Sequence, residues 1–104
     1  MKRKINRIKT DIHLIASARC KEQIAITWNG AYDLDPRHLV FWICVRSDGA
    51  KENLQNDVSL QTEFRQVLDN HDYPEEARKF VQIGIESQET VDRESNGNWW
   101  HHFK

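Results

Sequence analysis

Glycine, proline and cysteine are all scarce in this sequence of 104 residues, with four, two and two copies respectively. The glycines stand alone at positions 30, 49, 84 and 97, and none belongs to a GxxxxGK or GxGxxG frame. The phosphate-binding loops of nucleotide-binding proteins need such frames, so nucleotide binding has no support. No serine lies in a GxSxG context and neither cysteine has an adjacent histidine, so no motif for nucleophilic catalysis is present.

Long apolar stretches are also absent. The longest, residues 39–45, has seven residues, whereas a membrane-spanning helix needs about 18 to 20. The basic start at residues 2–4 is followed by Asn6 and Arg7, where a secretory signal would have an apolar segment. We therefore expect no membrane association, no export and a cytoplasmic protein.

The composition predicts one domain over residues 1–104. Apolar residues make up 38% of the chain and charged residues 30%, and a chain of this length can bury about two-thirds of its unfolded surface around one core. It should therefore fold without a metal or a cofactor. Cys20 and Cys44 have no short spacing, so we expect two buried free thiols rather than a disulfide.

Hydrophobic periodicity predicts an α+β domain. Isoleucines at 5, 8, 12 and 15 recur at the spacing of an amphipathic helix, whereas Ile24, Ile26 and Trp28 alternate as in a half-buried strand. The apolar run at 39–45 is typical of a central strand covered on both faces. The predicted order is helix 4–20, strand 24–28, strand 39–45, helix 50–70, short helix 74–79, strand 80–85 and strand 98–103. This order indicates a mostly antiparallel sheet of about four strands, with the N-terminal helix and one or two central helices packed on it.

The net charge of −1 conceals an uneven distribution. Residues 1–21 carry seven Lys or Arg and one Asp, a net +6, and the other 83 residues carry eight bases and fifteen acids, a net −7. The acids are concentrated in the segments 33–35, 69–76 and 86–94. Ordinary solvation explains any one of these clusters, but several on one surface would attract a basic protein and repel nucleic acid.

Tryptophan is abundant for a chain of this length, with four copies. Trp28 and Trp42 lie in apolar segments and are predicted to belong to the core. Trp99 and Trp100 are neighbours on the last predicted strand, so one of them should face outward unless both sides of that strand are covered. An outward tryptophan is a candidate anchor for a partner, because tryptophan is frequent among the residues that dominate binding energy.

These features predict a binding surface rather than a catalytic site. We expect acidic side chains around an aromatic anchor: Asp33, Asp35, Glu86, Glu89, Asp92, Glu94, Trp99 and Trp100. The expected partner is a protein with a basic surface. No catalytic residue, metal ligand or cofactor is predicted.

Four short stretches carry a resemblance to a known class of proteins: FWICVRSD at 41–48, YPEEA at 73–77, ESQETVDR at 86–93 and GNWW at 97–100. Together they resemble small bacterial immunity proteins of toxin–immunity systems of the contact-dependent inhibition type. The resemblance covers about the last two-thirds of the chain. It implies a basic nuclease toxin as partner, neutralised by occlusion of its active site, and it assigns no individual residue. The basic first helix departs from the uniformly acidic surface that such a partner would favour.

A nucleic-acid-binding function is an alternative. Its contacts to phosphates would come from basic residues of the first helix, namely Lys2, Arg3, Lys4, Arg7 and Lys9. Affinity of this kind falls steeply with salt concentration.

A second alternative is a small hydrolase or nuclease that uses a histidine with a carboxylate as general acid and base. The candidate histidines are His13, His38 and His101. His101 and His102 would point to opposite faces of a strand, so the pair is not expected to bind one metal ion.

Overall fold

The structure of the protein is a computed structural model that describes residues 1–30 and 34–102, with positions 100 and 101 described by their backbone alone. The described residues form five α-helices, two short 3₁₀ helices and three strands. In chain order these are α1 (Lys2–Ser17), β1 (Ala25–Asn29), a 3₁₀ turn (Pro36–His38), β2 (Val40–Val45), α2 (Asp48–Gln55), α3 (Val58–Asn70), a 3₁₀ helix (Glu75–Phe80), β3 (Gln82–Ser87), α4 (Gln88–Ser95) and α5 (Trp99–His102). The predicted α+β class and the N-terminal helix are confirmed.

The sheet is mixed and has the strand order β1-β2-β3 in the described part of the chain. β1 runs antiparallel to β2, whereas β2 and β3 are parallel. The prediction of a mostly antiparallel sheet of about four strands was therefore wrong in detail. The helical segment between β2 and β3 is the reason, because a long crossover returns the chain to the same end of the sheet and makes the next strand parallel.

The predicted last strand, residues 98–103, is helical over Trp99–His102 where the structure describes it. Asn-Gly is a common sequence of hairpin turns, but Asn96 and Gly97 here end α4. Asn96 adopts the left-handed conformation with φ of 52°, and the Gly97 amide donates to the Val91 carbonyl at 3.1 Å. A left-handed residue after the last turn is a common way to close a helix, so the same dipeptide serves here as a helix cap.

The helix boundaries follow local capping. α1 buries Ile5, Ile8 and Ile12, as its periodicity predicted, together with Ala16, whereas Ile15 is half-buried. The predicted helix 50–70 is two helices, because Asp57 accepts a hydrogen bond from the Leu60 amide and starts α3 as a new helix.

The core lies between the helices and one face of the sheet. Phe41, Ile43 and Val45 alternate along β2 and are buried, whereas the intervening Val40, Trp42 and Cys44 are half-buried on the other face. We predicted that β2 is covered on both faces, but in the part of the chain that the structure describes the second face is covered only partly.

Both central tryptophans differ from the prediction that they belong to the core. Trp42 is half-buried and faces away from the core, because its position on β2 alternates with Phe41 and Ile43. Trp28 is half-buried and packs against the margin of the core, with its Nε1–H directed to the Asn6 side chain at 3.4 Å. Trp28 is thus at the edge of the packed interior, and Trp42 lies on the other face of the sheet.

Cys20 and Cys44 are free thiols, as predicted, but both are half-buried rather than buried. Burial nevertheless raises the pKa of the Cys44 thiol to about 11, so that thiol is protonated at neutral pH. None of the described helices combines the length and the apolar composition that a membrane span requires.

Candidate functional site: a hollow on the open face of the sheet

The sheet has an outer face, opposite to the helices of the core. Strand register brings its side chains into three rows: Asn29–Val40–Gln82, Thr27–Trp42–Gly84 and Ala25–Cys44–Glu86. Along β1 the side chains of Ala25, Thr27 and Asn29 are exposed, and Val40, Trp42 and Cys44 of β2 are half-buried. The residues that the structure describes therefore leave much of this outer face accessible.

Trp42 occupies the centre of the outer face. A Cβ atom added to Gly84 would lie 2.5 Å from the Trp42 ring, which is closer than such atoms approach in proteins. Glycine at position 84 is thus the residue that lets the indole lie against β3. The middle row is a small residue, a tryptophan and a glycine, which makes this part of the surface broad and apolar.

A hollow with a volume of about 500 Å³ lies beside Trp99 on the same face. Its lining includes the small side chains of Ala25, Thr27 and Cys44 together with those of Arg46, Gln88 and Trp99. Volumes of this order are typical of sites that accept a small molecule or one large side chain of a partner. The small residues create the depth of the hollow, and the larger ones enclose it.

Trp99 is held in place as one wall of this hollow. Its Nε1–H donates to Gln88 Oε1 at 2.6 Å, and Gln88 Nε2 donates in turn to Asp92 Oδ1 at 2.7 Å. Trp99 is half-buried rather than projecting. The prediction that either Trp99 or Trp100 faces outward is therefore not met by Trp99, and the side chain of Trp100 lies outside the described residues.

The predicted acidic residues of α4 lie next to this wall. Glu89, Asp92 and Glu94 are exposed, and Asp92 is linked to Trp99 through Gln88. Glu89 also accepts a hydrogen bond from the Asp48 amide at 2.9 Å. Three of the predicted side chains, with Trp99, are thus brought together by one helix and the turn that follows it.

Glu86 is separated from this group by burial. Only 8% of its surface is exposed, and its carboxylate oxygens lie 2.7 Å from Lys51 Nζ and 2.8 Å from His102 Nε2. Burial by itself raises the pKa of Glu86, but hydrogen bonds from Lys51, His102 and the Ser87 amide outweigh it and lower the pKa below its usual range. Glu86 is therefore a charged and internally paired group that adds no free charge to the surface.

Asp35 lies at the other end of the sheet. It precedes β2, whereas α4 follows β3, and the parallel direction of these strands places the two at opposite ends. The Arg37 guanidinium donates to the Asp35 carboxylate, with Nε 2.9 Å from Oδ2, and this contact lowers the pKa of Asp35 to about 2. Asp33 and the side chain of Trp100 lie outside the described residues. Asp35 and the α4 acids consequently do not form one surface.

The carboxyl ends of β2 and β3 lead directly into helices capped by serine. Ser47 accepts from the Ala50 amide to start α2, and Ser87 accepts from the Thr90 amide to start α4. Helix N-termini attract anions, and here side-chain carboxylates fill that role. Glu22 does so at α2, where it accepts from the Arg46 and Ser47 amides at 3.0 Å. Asp48 lies at the start of α4 and accepts from the Thr90 hydroxyl, Oγ1, at 2.6 Å.

These contacts make the strand ends a structural junction. Hydrogen bonds from Ser47 lower the pKa of Glu22, and those from Ser87, Thr90 and Arg93 lower the pKa of Asp48. Both acids are therefore ionised at neutral pH and engaged with the protein's own donors. Sequence reasoning missed them because their partners are distant in the chain, although serine three residues before Ala50 and Thr90 was a usable capping signal.

Two of the three histidines proposed for acid–base chemistry have described side chains, and neither of these meets a carboxylate in a cleft. His13 is exposed, with Nε2 2.9 Å from the Ile24 carbonyl oxygen. His38 is exposed and its Nε2 is 4.0 Å from Asp35. The side chain of His101 lies outside the described residues.

Two other histidines form short contacts with carboxylates. His71 Nε2 is 2.6 Å from Asp11 and joins the end of α3 to α1. His102 Nε2 is 2.8 Å from Glu86 and joins α5 to the sheet. Each pair links elements far apart in sequence, so neither contact could be predicted from the spacing of residues along the chain.

His102 also lies 3.0 Å from Ser95 Oγ through Nδ1. Ser95, His102 and Glu86 are thus connected in the same order as the serine, histidine and acid of a catalytic triad. However, Ser95 ends α4, where unpaired carbonyl groups concentrate negative charge and would oppose an oxyanion. The geometry is better suited to holding α5 than to catalysis.

The basic residues of α1 are divided by their contacts. Lys2, Arg3 and Arg7 are exposed, whereas Lys4 and Lys9 are half-buried. Lys4 Nζ donates to the Asp72 carbonyl at 2.9 Å. Three cations therefore remain at the solvent-facing side of the helix.

The structure gives an α+β domain with a three-stranded mixed sheet, as far as its residues are described. Within that same part of the chain, no three His, Cys, Asp or Glu side chains converge as metal ligands would. No protein-family model, curated protein or solved structure matches the chain. The resemblance to immunity proteins accordingly stays a prediction.

Proposed function

We propose that this chain is a small protein-binding domain, and that its specific role is that of an immunity-type inhibitor that occludes a toxin domain. The observation that carries the proposal is the hollow on the outer face of the sheet, with Trp99 as one wall and the exposed acids of α4 beside it. The partner would insert one apolar side chain into the hollow and place basic residues against α4.

The hollow suits an apolar side chain because Ala25 and Cys44 are small and Trp99 is already positioned. The hydrogen bond from Trp99 to Gln88 fixes the indole before a partner arrives. A preformed wall reduces the ordering entropy that binding must overcome. In this proposal Trp99 lines a pocket for the partner and does not project as an anchor.

The acids Glu89, Asp92 and Glu94 would act mainly through long-range attraction. They are exposed, and exposed charges of this kind change association rates and salt dependence more than they change contact energy. Arg93 lies among these acids but neutralises little of their charge, because its guanidinium is paired with the Asp48 carboxylate at 2.9 Å. Asp35 and Glu86 have no part in this proposed face.

A charge-reversal experiment tests the proposal. The chain is expressed together with its native flanking genes, and the protein that co-purifies in stoichiometric amount is identified. The E89K/D92K/E94K variant should then associate about tenfold or more slowly with that protein, and with a weaker salt dependence, by surface plasmon resonance. The matched control is E75K/E76K, which reverses two exposed acids at the other end of the sheet.

If the triple variant associates at the wild-type rate, α4 is not part of the interface. An equal loss in E75K/E76K would indicate a general effect of net charge. If the captured protein is a toxin, growth inhibition by that toxin should be relieved by the wild-type chain and not by the triple variant. If the chain binds the toxin but does not relieve growth inhibition, the protein-binding function stands and the inhibitor role is rejected.

Nucleic-acid binding is a second candidate because Lys2, Arg3 and Arg7 are all exposed on α1. Fluorescence anisotropy with single-stranded and double-stranded oligonucleotides at low salt measures it directly. Affinity that falls with salt and is lost in an R3A/R7A variant would support this function. Absence of binding at low salt would reject it.

A further inference from the structure

Arg46 brings a positive charge to the lining of the hollow. It follows Val45 at the end of β2 and lies two residues after Cys44, so its side chain continues the row that β2 presents on the outer face. The side chain is exposed. Beside the small side chains of Ala25 and Cys44, the hollow therefore has a guanidinium at its margin.

The Arg46 guanidinium has no acidic partner within the part of the chain that the structure describes. Other arginines are paired with Asp or Glu: Arg19, Arg37, Arg78 and Arg93. Glu22 is close to Arg46 in the fold, but its carboxylate accepts from the backbone amides of Arg46 and Ser47 at 3.0 Å rather than from the guanidinium. The guanidinium is therefore able to form the two parallel hydrogen bonds with which arginine binds a carboxylate.

The acids of α4 place negative charge beside the same hollow. Gln88 belongs to the lining and donates to Asp92 Oδ1 at 2.7 Å, and Glu89 is exposed on the same helix. Arg46 would repel an occupant that carries only positive charge, and the α4 acids would repel one that carries only negative charge. Charge complementarity therefore favours an occupant with a carboxylate and a basic group at separate positions around an apolar body.

An apolar residue at the C-terminus of a protein meets this requirement. Its side chain and its carboxylate belong to one residue, which suits a hollow of about 500 Å³. An internal aspartate or glutamate suits the hollow less, because neighbouring side chains of an extended segment point to opposite sides and the acid would turn away. Basic residues that precede the C-terminal residue would supply the positive charge for α4.

We propose that the hollow receives the C-terminal residue of the partner, with the α-carboxylate on Arg46 and the preceding basic residues beside α4. The apolar side chain of that residue would lie among Ala25, Cys44 and Trp99. This inference rests on the proposed binding function, because it specifies which part of the partner occupies the hollow. It assigns to Arg46 the choice between a chain terminus and an internal segment.

Two peptides that differ in one group test this assignment. Each has an acetylated N-terminus, two lysines and a final phenylalanine, and it ends either in a free carboxylate or in an amide. Titration of the isotope-labelled protein, followed by NMR, gives the dissociation constant and the position of the peptide. We expect the acid to bind about tenfold more tightly than the amide, because the amide cannot form the charge-assisted hydrogen bonds to the guanidinium. Shift changes should be concentrated at Thr27, Cys44 and the Trp99 indole.

Three variants locate the recognition. R46Q removes the guanidinium from an exposed position and should bind acid and amide equally. R7Q is the matched control, because Arg7 is exposed on α1, which packs on the opposite face of the sheet, and the change in net charge is the same. It should keep the preference for the acid within about twofold. T27W fills the hollow from an exposed position of β1 and should weaken the binding of both peptides.

Equal binding of acid and amide by the wild-type chain would overturn the assignment, and so would shift changes away from the hollow or the binding of neither peptide at millimolar concentration. Loss of the preference in R7Q as well as in R46Q would identify net charge as its cause and would also overturn the assignment. Circular dichroism establishes that each variant is folded before it is titrated. These outcomes are separate from the charge-reversal experiment on α4. If that experiment fails, the partner-binding function is removed, whereas a preference for the acid that Arg46 controls would still identify a carboxylate site.

Discussion

The two faces of the sheet are made by the same strands, yet they differ in what their side chains can do. On the inner face, Phe41 and Ile43 are completely buried against the helices. On the outer face, Thr27 is exposed and Trp42 is half-buried. Side chains of the first kind hold the fold, and side chains of the second kind stay partly accessible. The contrast shows that burial, rather than residue type, separates the aromatic residues that hold the core from those that lie at the surface of the sheet.

The largest effect that this contrast predicts is on stability. Phe41→Ala should lower the free energy of unfolding by about 3 to 5 kcal/mol, because it leaves a cavity in the core. Trp42→Ala removes a larger side chain, but only a half-buried one, and should cost about 1 to 2 kcal/mol. Urea denaturation followed by circular dichroism measures both. Equal losses would show that the outer face is packed as tightly as the inner one.

The next prediction concerns the contact between Gly84 and Trp42. Gly84→Ala places a methyl group against the indole and should cost about 1 to 3 kcal/mol, with a shift of the tryptophan fluorescence. Gly49→Ala is the matched change, because its Cβ would meet nothing nearer than Ser47 Oγ at 4.0 Å. On a helix that substitution should be neutral or stabilise by up to about 1 kcal/mol. If the two variants had the same stability, Trp42 would not lie against β3.

The smallest expected effect concerns acid stability at the far end of the sheet. The pKa of Asp35 is about 2 in the folded protein against 3.8 ordinarily, so its pairing with Arg37 favours folding above pH 4 and is lost as the pH falls through about 2. Asp35→Asn should therefore make the melting temperature less dependent on pH between about 4 and 2. Scanning calorimetry over that range tests this. An unchanged slope would mean that the exposed pair is too well screened to contribute.

Features that depend on neighbours in the chain could be predicted from the sequence. The repeat of Ile5, Ile8 and Ile12 predicted α1 and its buried side, because helical geometry alone brings those positions together. The alternation of Ile24 and Ile26 likewise predicted β1. The error at residues 98–103 had a local cause, since Asn-Gly is compatible both with a hairpin turn and with the end of a helix.

The candidate site could be predicted only in part. Glu89, Asp92, Glu94 and Trp99 lie together because α4 and the following turn are contiguous in sequence. Glu86 has the same charge and is two residues from Gln88, but strand geometry turns it towards Lys51 and His102.

The remaining acids show the same limitation. Asp35 is also acidic, but it belongs to the opposite end of the sheet. Charge and spacing therefore indicated which acids were candidates for a binding surface. Only the packing of distant elements decided which of these acids are exposed and which are paired inside the protein.

By itself, the sequence determined the α+β class, the amphipathic first helix and the acidic character of the segment that forms α4, because these follow from local periodicity and composition. Tertiary structure decided which face of the sheet stays open, where the hollow lies and which acids remain exposed. The reason is physical: burial and ion pairing depend on contacts such as Lys51 with Glu86, which join residues 35 positions apart. No local pattern records such a contact.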